Sequence, residues 1–130
     1  MTDFSKSQEQ NEALILLRRV EGAAIGLAAI LLFAQVNGDW WLFAALLLVP
    51  DVAMAGYVVS PRVGAHLYNA AHTYLVPVAL GLICSMVGFD LLVVVGSIWV
   101  AHIGLDRALG YGLKHTTGFH DTHLSKFESE

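Results

Sequence analysis

Four apolar stretches of about 20 residues, joined by short turns, constrain this chain more than any other feature. A hydrocarbon core of roughly 30 Å is crossed by about 20 helical residues, so each stretch is long enough to span a bilayer. In that medium the backbone must satisfy its own hydrogen bonds, which for segments of this length means α-helix. Together the stretches use some 80 of the 130 positions and leave little chain outside the membrane. Composition agrees, with 56% hydrophobic and 14% charged residues against roughly 25% charged in soluble domains. Mean hydropathy is +0.62, which argues against a soluble globular protein.

The expected fold is an all-α, four-helix transmembrane bundle in a single integral-membrane domain, residues 1–130, with spans at about 13–36, 40–59, 62–87 and 91–111 and a polar tail at 112–130. Arg18, Arg19 and Glu21 interrupt the first stretch, so its start is expected at the interface with the arginines snorkelling. No convincing small-residue cleavage site precedes Trp40, and the stretch reads as a retained span without a removable signal peptide. Trp40 and Trp41 open the second span at headgroup level. Ser60-Pro61 is a helix-start signature, because serine caps and proline gives up no needed N–H. Pro50 and Pro77 are expected to weaken the second and third helices. Gly22-Ala23-Ala24-Ile25-Gly26 permits close backbone approach, as ordinary helix packing or as a dimer contact.

Charge excludes some functions and orients the chain. The net charge is −4 and no basic stripe exceeds Arg18-Arg19, so nucleic-acid binding is not expected. In the four-span arrangement Lys6, Arg18, Arg19, Arg62, Arg107, Lys114 and Lys126 fall on one side, whereas the turns on the other side hold Asp39 and Asp90. By the positive-inside rule both termini are cytoplasmic, as in a multi-pass protein of a bacterial inner membrane. The single cysteine, Cys84, can form neither an internal disulfide nor a Cys-based metal site.

Ionisable side chains at membrane depth are costly, face the bundle interior and mark function. With Arg62 as interface marker, Asp51 and His72 lie roughly 15 Å inside at about 1.5 Å per residue. His102 and Asp106 share one face of the fourth helix, with His102 on the order of 7 Å inside relative to Arg107. Glu21 adds a carboxylate from the first helix, and His66, Asn69 and Thr73 form a polar line along the third. Two histidines and several carboxylates projecting inward from four helices form the arrangement by which bundles hold metal ions. Nitrogen and oxygen ligands without sulfur point to zinc, iron or manganese. The expected ligands are Asp51, His72, His102, Asp106 and, from a tail folded back over the cytoplasmic mouth, His123, with Glu21 or Asp121 as acid/base. Alternatives are a proton or ion pathway, a haem held by His72 and His102, or a satisfied polar layer that fixes helix register.

The runs Arg19-Val20-Glu21-Gly22, Trp40-Trp41-Leu42-Phe43, Pro50-Asp51, Pro61-Arg62-Val63-Gly64, Tyr68-Asn69-Ala70-Ala71-His72-Thr73-Tyr74, Ala101-His102-Ile103-Gly104-Leu105-Asp106-Arg107 and Asp121-Thr122-His123-Leu124 resemble small bacterial membrane proteins grouped as domain of unknown function 4260. The resemblance covers nearly the whole chain after the first dozen residues, implies four spans and names no activity. The matched positions include Glu21, Asp51, Asn69, His72, His102, Asp106, Asp121 and His123, whereas His66, His115 and His120 fall outside the motifs. The residues themselves point to a metal-dependent membrane enzyme, a hydrolase or oxygenase, working in the lipid bilayer on a lipid-soluble small molecule. The rival is a small ion- or proton-coupled transporter or accessory subunit, in which a homo-oligomer would be needed to complete a pore.

Overall fold

Asp39 sets the start of the second helix: its carboxylate accepts the backbone N–H groups of Trp41 at 2.9 Å and Leu42 at 3.4 Å. In the computed structural model, which describes residues 2–36 and 38–114, the described chain is all-α. The elements are α1 (Thr2–Gln35), α2 (Trp40–Leu47), a 3-10 helix (Val49–Val58), α3 (Pro61–Ala71), α4 (Leu75–Met86) and α5 (Asp90–Leu109).

Among the described residues two stretches are long and apolar enough to cross a membrane, Trp40–Val58 with 19 residues and Asp90–Leu109 with 20. The pair α3 and α4, bent by 43°, supplies a third if taken as one broken span. α1 does not reach this measure although it holds the expected first span, because Arg18, Arg19 and Glu21 sit near its middle and leave only residues 22–35 uncharged. Large apolar side chains lie bare on the outside, among them Trp41 at 83%, Met86 at 87% and Val58 at 90% exposure, which suits lipid as solvent far better than water.

Both prolines act, one where expected and one a turn early. Pro50 enters at the start of the 3-10 helix, where its missing N–H is not needed, and α2 stops at Leu47. The ten-residue 3-10 run is long for its kind and places Asp51 in its first turn. In the third segment Ser60 caps α3 as expected, its hydroxyl accepting the Val63 N–H at 3.1 Å. The break falls at residues 72–74, ahead of Pro77. A continuous helix would press the Pro77 ring against the Thr73 carbonyl, and restarting at Leu75 puts Pro77 in a first turn, where it costs no hydrogen bond.

That break leaves carbonyls without helical partners, and α5 supplies them. The Trp99 indole N–H donates to the Ala71 carbonyl, and the Arg107 guanidinium donates to the His72 carbonyl at 3.0 Å. α5 itself ends in a left-handed Gly110 with φ 95°, and the Tyr111 N–H returns to the Asp106 carbonyl at 2.8 Å.

α1 packs along α5 through glycine. A Cβ on Gly104 would lie 2.5 Å from the Gly26 Cα and 2.7 Å from the Gly22 carbonyl oxygen. The Gly22-Gly26 pair therefore serves packing within one chain. At the far end Phe33, fully buried, sits 5.3 Å from the Trp40 ring and 5.0 Å from the Phe43 ring and pins the α1–α2 turn. Gly104→Ala is expected to destabilise the protein by about 1–3 kcal/mol in thermal unfolding in detergent. Gly81→Ala, at a position where a Cβ meets nothing within 4 Å, should be neutral or slightly stabilising.

Candidate metal centre

Three elements deliver four side chains to one point. Asp51 comes from the 3-10 helix after Pro50, His72 from the cap position that ends α3, and His102 with Asp106 from successive turns of α5. One ligand atom from each lies within 4.8 Å of every other. His72 and His102 are 1% and 5% exposed, and the Asp106 and Asp51 side chains 19% and 36%.

The distances are regular. Each histidine Nε2 lies 3.4 Å from Asp51 Oδ1 and 3.4 Å from Asp106 Oδ2, and the two Nε2 atoms are 3.0 Å apart. A direct N–H···O bond is shorter, about 2.9–3.0 Å. Around an ion with arms of about 2.05 Å, the edges of a ligand tetrahedron measure about 3.35 Å.

The tautomer of His72 points the same way. Its Nδ1 lies 2.9 Å from the Tyr68 carbonyl oxygen, which can only accept, so the proton sits on Nδ1 and Nε2 of the neutral ring presents a lone pair. The His102 ring also has the Leu47 backbone near it. A hydrogen bond like that of His72 is the usual support of a metal-ligating imidazole. Lone pairs and carboxylate oxygens converging in this way repel unless positive charge lies among them. A proton can bridge one pair of these atoms, whereas an ion at the centre serves all four.

Further residues hold the group in place. The Tyr68 ring stacks on His72, with centroids 3.7 Å apart and planes 10° from parallel, and the Lys114 ammonium lies 4.7 Å above Tyr68. Burial pulls the Lys114 ammonium below its ordinary pKa, with the Asp106 carboxylate opposing. Asn69 clamps the chain after α5: its amide donates to the Lys114 carbonyl at 2.7 Å, and its oxygen accepts the Lys114 N–H at 2.6 Å. The Tyr74 hydroxyl, in the break, is buried and has no hydrogen-bond partner among the described residues.

Of the residues singled out from sequence, Asp51, His72, His102 and Asp106 are brought together. Glu21 is exposed on α1 and His66 is exposed on α3, both outside the group. Asp121, His123, His115 and His120 lie outside the described residues. Counting depth along straight helices puts His102 somewhat shallower than His72, but their Nε2 atoms are 3.0 Å apart. It takes Arg107 as an interface marker, but that side chain reaches inward to the His72 carbonyl, and it treats the third segment as one straight helix. The same 3.0 Å leaves no room for a haem iron with both histidines axial, which needs nitrogens about 4 Å apart on opposite sides. Arg107, Trp99, Tyr68 and Lys114 were not anticipated. Only the four-residue spacing of Tyr68 and His72 signalled one of them.

The fold and the group define a class: an all-α chain with helices long and apolar enough to cross a membrane, carrying a His2Asp2 group that can hold a metal ion. Residues 15–127 match the family described as Domain of unknown function (DUF4260), and the chain belongs to that family. No curated protein and no solved structure matches the chain.

Arg107→Gln removes the donor of the His72 carbonyl and is expected to lower stability by about 1–3 kcal/mol. Arg62→Gln, at an exposed position, should leave thermal unfolding in detergent within about 0.5 kcal/mol of wild type.

Proposed function

We propose that this protein is a metal-dependent enzyme of the bacterial inner membrane, built as a four-helix transmembrane bundle, in which Asp51, His72, His102 and Asp106 hold one divalent ion. The observation that carries the reading is the set of four equal 3.4 Å separations, long for hydrogen bonds and right for the edges of a coordination tetrahedron. Tetrahedral geometry with nitrogen and oxygen ligands favours zinc over iron or manganese. Two aspartates against a divalent ion also make the centre neutral, which suits its burial.

Hydrolysis is the reaction class this ligand set fits best. A bound divalent ion supplies Lewis acidity and an acidified water. Asp51 is the most exposed of the four side chains, and its carboxylate would be the one to accept a proton from a water at a bound ion. His72 is held through its backbone partner, whereas Asp51 is the most accessible member of the group. Glu21 and Asp121 were the acid/base expectations. With Glu21 exposed and outside the group, Asp51 is the better assignment for proton transfer.

Detergent-purified protein without a polyhistidine tag should contain close to one zinc per chain by elemental analysis, and His72→Ala/His102→Ala should lose it while helical circular dichroism is retained. Wild-type protein that stays metal-free after incubation with zinc, iron and manganese would leave a structural polar layer as the better reading.

The four-span arrangement, with α1 as the fourth helix, rests on the same charge placement. α1 has 34 residues, about 51 Å at the helical rise, so its uncharged half can enter the bilayer beside α5 while Lys6, Arg18 and Arg19 stay outside. In a Cys84→Ser background, cysteines placed at Asp39 or Asp90 should react with an impermeant maleimide from the periplasmic face. A cysteine at Asp3 should react only after lysis, and the reverse pattern would overturn the orientation.

A further inference from the structure

An apolar pocket of about 260 Å³ lies among the elements that carry the His/Asp group, lined by Leu46 of α2, Val49, Pro50 and Ala53 of the 3-10 helix, Ala71 of α3, and Val95 and Trp99 of α5. Its walls come from the three elements that carry the group and from α2, which adds Leu46. Pro50 precedes Asp51, Ala71 precedes His72, and Trp99 is three residues, hence one helical turn, from His102.

The lining offers a polar ligand nothing to hold. The Trp99 N–H is its single side-chain donor, and that hydrogen is already given to the Ala71 carbonyl. Apolar cavities without polar partners stay dry and take hydrocarbon. A cavity of about 150 Å³ accepts benzene, so by the same scale this one accommodates roughly ten aliphatic carbons. Two of its walls are the apolar stretches Trp40–Val58 and Asp90–Leu109, whose surroundings in a bilayer are acyl chains. Asp51, which follows the lining residue Pro50, is the most exposed member of the group.

We propose that this pocket binds the aliphatic chain of a membrane amphiphile and presents the amphiphile's polar end to the His/Asp group. Occupation of the pocket stands on its lining alone, whereas the destination of the polar end rests on the metal reading above. The occupant class is a single extended hydrocarbon chain carrying an oxygen-containing head, as in a free fatty acid or a glycerophospholipid.

The test is photolabelling of the full-length protein in phosphatidylcholine vesicles. In one arm the probe is a fatty acid carrying a diazirine in its chain, and in the other a phosphatidylethanolamine with the same chain. Labelled peptides are mapped and metal is measured on the same samples. Label is expected mainly on residues 49–53 and 95–99, above that on the lipid-facing Leu82 and Ile83, which are 64% and 60% exposed. Ala53→Trp, which fills the pocket, should reduce the pocket label by about tenfold with metal retained, and Val95→Phe serves the same purpose should Ala53→Trp fail to fold. Preference for either probe supports the proposal and identifies the source of the chain. Labelling as strong at residues 82–83 as in the pocket, or unchanged in the filled variants, overturns it. Pocket label on protein that binds no metal would keep the chain site and sink the metal reading, and metal without pocket label would do the reverse.

Discussion

A helix that stops inside an apolar chain exposes carbonyls that its apolar neighbours cannot satisfy, and this protein is organised around one such stop. The chain leaves α3 at His72 and resumes at Leu75, and the Ala71 and His72 carbonyls are met by Trp99 and Arg107 from α5. Those two bonds fix the register between α5 and the break, and therefore between His102 with Asp106 on one side and His72 on the other. The regular spacing of the His/Asp atoms follows from that registration. Glycine contacts with α1 then hold α5 from behind, with Gly104 lying between the two α5 members of the group.

Much of this was legible in the residues, and the parts that were not share a cause. Apolar length and composition carry the all-α architecture, and Ser60-Pro61 announces the start of α3 because capping is a local interaction. Asp51, His72, His102 and Asp106 could be selected because ionisable groups are rare in apolar stretches. What pattern could not supply was the geometry of interruptions. A proline says that a helix cannot continue unchanged but leaves the choice of turn to tertiary contacts, and here the break moved ahead of Pro77 to where Trp99 and Arg107 could close it. Depth counted along straight helices then misplaced His102. Residues 22–36 point to a span, whereas the charges at 18, 19 and 21 leave α1, although 34 residues long, with a shorter uncharged run than the membrane-length segments have.

Around His72 the same atoms serve structure and chemistry. The Tyr68 carbonyl accepts both the His72 backbone N–H and its Nδ1–H, each at 2.9 Å, so the bond that ends the helix also selects the tautomer. The Tyr68 ring covers one face of the imidazole, and the Lys114 chain, clamped by Asn69, covers Tyr68 in turn. Rotation of His72 would have to disturb the helix end and the stacked ring together, which is the kind of support that keeps a ligand atom in position.

The broken third segment also bears on how the protein is made. Chains emerge from the ribosome N-terminus first, so α3 and α4 are synthesised before the helix that carries Trp99 and Arg107. Until α5 arrives, the carbonyls of Ala71 and His72 lack the donors of Trp99 and Arg107, and the bend is an open defect. Arrival of α5 closes the defect and brings two of the four His/Asp side chains in the same step. Completion of the centre is thereby coupled to the docking of α5, and a nascent chain halted before residue 99 would carry neither a closed bend nor an assembled site.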